Sequence, residues 1–290
     1  VTTVADLTTL TLRPRYEGAN IRTWIGFKHF MYLAEEAVVQ WFRDRGAGPA
    51  MLYQTHGLGL EIVDSSVQLP SVLDIDDEVT AEVAPTAPGR FTVRLSVGGR
   101  IVCRGKIRVM LVREAEPPGS APFTGPMAEV VVDRSGLPAA GEPDVSEQGF
   151  QWSWCARYFL CHYSDRVQHS AYVRALEETV ERFLAHRGIS VGRLLAERGW
   201  IPVVSRASVR VLADAHMEEL VHTTFAVDDV LKRSGYDGVM NCYVRRGDTL
   251  VRTATARILH GYAITRGDLA GQLAELDDEV LAALTGADQS

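Results

Sequence analysis

The chain repeats itself. Arg15 to Gly46 aligns on Arg157 to Gly188, 142 residues downstream, without a gap. Arg15, Tyr16, Glu35, Glu36, Val38, Arg45 and Gly46 recur as Arg157, Tyr158, Glu177, Glu178, Val180, Arg187 and Gly188. The hydrophobic period agrees as well. Phe27, Phe30, Met31, Ala34, Val38, Trp41 and Phe42 fall at helical spacing, as do Ala171, Tyr172, Ala175, Leu176, Val180, Phe183 and Leu184. Each copy therefore holds one long helix, closed by an Arg-Gly stop. The offset continues beyond it, carrying Ser66-Val67 onto Ser208-Val209 and the acidic turn Asp76-Asp77 onto Glu218-Glu219.

Two copies of one unit follow. We place the first at residues 1–112, a Pro/Gly-rich connector at 113–147, the second at 148–264 and a C-terminal helical tail at 265–290. Each unit reads as a strand ("LTLRPRY"; "FQWSWCARY"), the helix, and four more strands. In the first unit these lie near Glu61–Leu69, Glu78–Ala84, Phe91–Val97 and Ile101–Val112. In the second they lie near Ile201–Leu212, Leu220–Val227, Val239–Arg245 and Leu250–Gly261. Gly98-Gly99 and Gly247-Asp248 signal hairpins, and "AEVVVD" in the connector adds a short strand. A helix apolar nearly all round is buried by antiparallel strands only if the sheet curls about it. The fold class is therefore α+β, two tandem units, each a long helix wrapped by a curved antiparallel sheet.

Composition narrows the partners. A net charge of -7 argues against a nucleic-acid surface. The start of the chain has no basic n-region and apolar h-region, and no run of about 18 apolar residues occurs. A cytoplasmic protein without a membrane partner is the expectation. Cys103, Cys155, Cys161 and Cys242 show neither CxxC nor zinc spacing, so reduced thiols, no metal and no cofactor are expected.

The segments "YEGANIRTWIGFKHFMYLAEE" and "YFLCHYSDRVQHSAYVRALEE" resemble the 4-hydroxybenzoyl-CoA thioesterase-like hotdog superfamily, here as a tandem double hotdog. The first is also similar to enediyne-type polyketide thioesterases, which carry an Asn followed by an aliphatic residue at that place. The resemblance implies sites where the loop before one unit's helix faces the other unit's helix. It puts the catalytic polar position on Asn20 in the first copy and His162 in the second, where the family most often has aspartate. Asp165, the counterpart of Thr23, adds a carboxylate beside His162.

Thioester hydrolysis needs donors for an oxyanion and a base or acceptor for water. Amides of Trp24 to Lys28 and of Val167 to Ser170 are the expected donors. His162, Asp165 and one of Glu35, Glu36, Glu177 or Glu178 are the expected base. Adjacent helical glutamates point about 100° apart, so at least one of each pair faces solvent or a salt-bridge partner. His29 and His169 read as packing or surface residues, with His169 also a candidate substrate contact beside Trp24, Phe27 and Tyr158. Arg157 or Arg166 is expected to meet phosphates at the mouth of an elongated apolar pocket between the two helices. "GISVG" matches a nucleophile-elbow pattern but follows a helix end, so Ser190 is not a nucleophile. Asp165 and His169 lack the "GDxNP" frame of the fold's hydratases.

The expected activity is hydrolysis of a CoA- or carrier-protein-bound acyl or polyketide thioester by a monomer or homodimer. Acyl transfer with decarboxylation, dehydration, and non-catalytic acyl binding are the alternatives.

Overall fold

The computed structural model describes residues 6–133 and 149–286. The stretch 134–147 of the expected connector, the expected unit start at 148 and the last four residues lie outside them. The first copy runs β1 (Thr8–Leu12), α1 (Phe27–Arg43), α2 (Pro49–His56), β2 (Leu58–Gln68), β3 (Val79–Ala87), β4 (Arg90–Val97) and β5 (Arg100–Arg113). A two-residue strand, β6 (Val131–Val132), follows from the "AEVVVD" stretch and pairs parallel with Leu111 and Val112. The second copy runs β7 (Phe150–Cys155), α3 (His169–His186), α4 (Val191–Arg198), β8 (Trp200–Val211), β9 (Leu220–Leu231), β10 (Gly235–Arg246) and β11 (Thr249–Ile264). The tail forms α5 (Asp278–Thr285), capped by Asp277.

The elements form one continuous sheet in the order β1-β3-β4-β5-β2-β8-β11-β10-β9-β7. That order reads the same from either end when copies are exchanged. Its centre is the antiparallel pair β2–β8, joined over Asp64–Gln68 and Arg206–Arg210, with Ser66 opposite its own repeat mate Ser208. Repeat symmetry extends to single bridges in the loops: Ala19↔Ile25 matches Cys161↔Val167, and Trp24↔Asp74 matches Arg166↔His216.

All fourteen apolar helix positions named above are buried. The ring of Trp41 packs on Phe42 and Phe91, and Phe183 on Phe225, so the large side chains of both helices seal against the concave sheet. The two-residue turn Gly98-Gly99 takes positive φ at both positions, the geometry that joins twisted strands without splaying them.

Two helices were missing from the sequence reading. α2 starts with Pro49 at its first turn, and both α2 and α4 stop at left-handed glycines, Gly57 and Gly199. Ser190 caps α4, its hydroxyl accepting from the Arg193 amide at 3.3 Å, which is a structural role. Cys103 and Cys242 are buried, and all four cysteines are free thiols. No helix among the described residues is long and apolar enough to cross a membrane.

Candidate active site

Beyond the five paired residues of β2 and β8, the loop that precedes α3 reaches the first copy's strand β2. There His162 donates from Nε2 to Glu61 at 2.9 Å. Arg166, 2 % exposed, donates to the other oxygen of Glu61 at 2.7 Å and also pairs with Glu114 at the end of the β5 strand. Space for this cluster comes from Gly59, where a Cβ would stand 2.5 Å from a Glu114 oxygen and 3.1 Å from the Tyr163 ring. Tyr163 holds a left-handed backbone (φ 59°), a strained conformation for an aromatic residue, and stacks 4.5 Å from the His162 ring.

Electrostatics set the protonation states. Burial opposes charge on Glu61, yet the hydrogen bond and charge of His162, with Arg166, outweigh it and hold its carboxyl below the ordinary range. Burial likewise opposes the His162 imidazolium, and Glu61 and Glu35 overcome it, so its pKa rises. Glu35, from the middle of α1 in the other copy, is pushed up by burial to about 7, with His162 pulling the other way. A carboxyl poised near neutrality and an imidazole anchored by a second carboxylate thus converge from opposite copies.

The repeat-related site is built differently. Asn20 is exposed, with its side chain lying over Gly26, where a Cβ would come within 2.9 Å of the amide nitrogen. Glu177, the counterpart of Glu35, is ion-paired with Lys28 of α1. The repeat carries Lys28 onto Ser170, so the position that answers Lys28 across from Glu35 has no charge. The outer glutamates behave as surface residues: Glu36 pairs with Arg43, and Glu178 with Arg182 at 2.7 Å.

Several expectations need correction. Asp165 turns away from His162 and pairs with His216 at 3.2 Å; the partner of His162 is Glu61 instead. Arg166 is no phosphate contact at a pocket mouth, because it is buried and committed to two carboxylates. His169 is also buried, bonded through Nε2 to Ser65 at 2.8 Å, and burial drives its pKa down to about 4, so it is a neutral packing residue. Phe27 belongs to the core, Trp24 is half-buried under Arg22, and Arg157 and Tyr158 stand exposed. The amides of Ile25, Gly26, Val167 and Gln168 are already donated to backbone carbonyls at 2.9 to 3.0 Å. Lacking side-chain caps at Gly26 and Gln168, the helices leave the first-turn amides Phe27-Lys28 and His169-Ser170 as the remaining donors.

The expected apolar pocket between the helices is not what faces the gap. With Lys28 paired to Glu177, helical spacing puts Tyr32 and Glu35 on the same stripe of α1, and Ser170 and Arg174 on the matching stripe of α3. The stripe is polar because the aromatic positions Phe27, Phe30 and Trp41 are buried in the core instead. Beside the cluster lies a cavity of about 20 Å³, bordered by Glu61, Arg166, His169 and Asp214, sized for about one water molecule. A groove of about 740 Å³ lies elsewhere, on the exposed sheet face across the β2–β8 seam, lined by Asp64, Arg90, Lys106, Arg108, Arg210 and Arg257.

Glu61 and Glu114 escaped the sequence reading because each is more than 50 residues from its partner in the chain. One signal was present. The repeat sets Glu61 against Val203 and Arg166 against Trp24, a carboxylate and a guanidinium appearing where the other copy is apolar.

Comparison with known proteins agrees with this architecture. The model of the Thioesterase-like superfamily matches residues 150–284. A 12:0-ACP thioesterase from Umbellularia californica superposes with a TM-score of 0.62 at 12 % identity, covering 88 % of this chain and 94 % of that one. An acyl-ACP thioesterase from Bacteroides thetaiotaomicron gives 0.56 at 11 % identity, with 88 % and 98 % covered. At these identities the likeness is one of fold. No curated protein sequence matches the chain significantly.

Proposed function

We propose an acyl-thioester hydrolase with one working site, for a chain whose residues 150–284 match the model of the Thioesterase-like superfamily and whose first half repeats that stretch. The observation that carries this is the convergence of Glu35 and His162 from opposite copies, with Glu61 fixing the imidazole.

In this reading Glu35, ionised, takes a proton from water as the water oxygen bonds to the thioester carbonyl carbon. The oxyanion so formed is met by the free amides at the start of α3. His162, its Nε2–H held by Glu61, keeps one ring orientation and offers its other nitrogen to the reacting atoms. Collapse breaks the carbon–sulfur bond, and the leaving thiolate recovers the proton that Glu35 took. Asn20 and Glu177 form the inactive counterpart, since an amide is no base near pH 7 and the Glu177 carboxylate is neutralised by Lys28.

The thiol carrier is CoA or a carrier protein. Resemblance of the first loop to polyketide thioesterases supports an acyl or polyketide chain of secondary metabolism. The test is to incubate the protein with acyl-CoA and acyl-carrier thioesters and weigh the products. Free acid plus thiol is expected. A decarboxylated, transferred or dehydrated product would replace hydrolysis with that chemistry, and no turnover of any thioester would remove the enzyme reading.

A further inference from the structure

Tyr32 of α1 and Arg174 of α3 occupy repeat-equivalent positions, 142 residues apart, on the facing stripes of the two helices. The Tyr32 hydroxyl and the Nε and Nη2 of Arg174 are buried with no hydrogen-bond partner among the described residues. Both groups lie within electrostatic reach of Glu35, and Tyr32 stands one helical step from it. Folded proteins seldom leave buried donors unmatched, least of all on a cation, because each forfeits its hydration without return.

The two glutamates on the facing stripes are otherwise engaged. Glu177, one step along from Arg174, is held by Lys28, while Glu35 sits in the hydrolytic cluster. The unpaired edge of Arg174 is the Nε/Nη2 fork, whose two parallel N–H groups match the two oxygens of a carboxylate. The phenol adds a third donor. A hydrocarbon chain laid here would leave all three unmatched, whereas a planar anion would satisfy them together.

We propose that Arg174 and Tyr32 recognise a carboxylate on the acyl group, making the preferred substrate the thioester of a short dicarboxylic acid. This rests on the hydrolase reading of the adjacent Glu35–His162 site, whose distance of one helical step limits the anion to a few carbons from the thioester. The pair would then select substrate without touching the bond that breaks.

The experiment compares kcat/KM for glutaryl-CoA and pentanoyl-CoA, alike in length, in the full chain and in Arg174→Met and Tyr32→Phe. We expect a preference for glutaryl-CoA of at least tenfold, falling to about one in Arg174→Met and to about threefold in Tyr32→Phe. Free glutarate should bind the wild type by calorimetry and fail to bind Arg174→Met. Should Arg174→Met not fold, Tyr32→Phe carries the test, because it removes a single oxygen. A wild-type preference for pentanoyl-CoA, or a ratio unmoved by either substitution, overturns the proposal. If neither thioester is cleaved yet glutarate binding still depends on Arg174, the carboxylate site stands and the hydrolase reading falls. Absence of both cleavage and glutarate binding overturns the site as well.

Discussion

Glu35 and Glu177 are the same residue in two copies of one unit, and they have opposite electrostatic fates. Glu177 faces a lysine and is neutralised; Glu35 faces no lysine, sits near an imidazole, and is pushed by burial to about 7. The difference comes from the opposite helix, where Lys28 in one copy answers to Ser170 in the other. Whether a buried carboxylate becomes a counter-ion or a base is thus decided by its neighbour across the interface.

The strongest break of this comparison is kinetic. Glu35→Gln and His162→Gln should each lower kcat by on the order of 10³-fold, within the range of general acid–base catalysis. Asn20→Ala and Glu177→Gln should change it by less than about threefold. Loss of turnover in Asn20→Ala with His162→Gln active would move the working site to the first copy.

Arg166→Met tests the support beneath His162. It leaves Glu61 and Glu114 buried side by side without their cation, which should cost about 3 kcal/mol of stability. Urea unfolding reads the loss, and a cost below about 1 kcal/mol would mean that the cluster is dispensable. The equivalent change in the first copy, Trp24→Met, removes no charge and should cost less.

These two tests also separate what was legible from what was not. The two long helices and all eleven strands could be read because periodicity and repetition are properties of the order of residues, while the cross-copy logic came from the resemblance. α2 and α4 carried end signals, Pro49 and Gly57 in one, Ser190 and Gly199 in the other, yet eight residues are too few for a clear hydrophobic period. His162 and Glu35 were legible as types in a resembling frame. Their true supports were not, since Glu61, Glu114 and Arg166 meet only after β2 and β5 have paired and the loop before α3 has crossed to the other copy. Asp165 misled for the converse reason: it is close to His162 in the chain but bridges to His216.

A subtler intervention sharpens the contrast. Ser170→Lys would give Glu35 the counter-ion that Glu177 already has. In the wild type, kcat should rise with pH through about 7 as Glu35 loses its proton. The added cation favours the carboxylate, so the midpoint should fall by about one unit, equivalent to about 1.4 kcal/mol. His162, Glu61, Glu36 and Arg174 act on Glu35 in both proteins, leaving the lysine as the variable. A profile that does not move would show that Ser170 is not the answering position.

The smallest effect belongs to the outer glutamates. Glu36→Ala and Glu178→Ala delete exposed ion pairs and should alter stability by less than about 0.5 kcal/mol in thermal unfolding, with turnover unchanged. A larger cost for either would place it in the inter-helix network after all.

The seam at Ser66 and Ser208 joins two halves of one polypeptide. In a symmetric pair of separate chains, any substitution is written twice, once into each site, so Lys28 could not be present opposite one glutamate and absent opposite the other. Linking the halves end to end removes that rule. One cleft can then keep a reactive acid while the other gives up its own to become a fastening between helices.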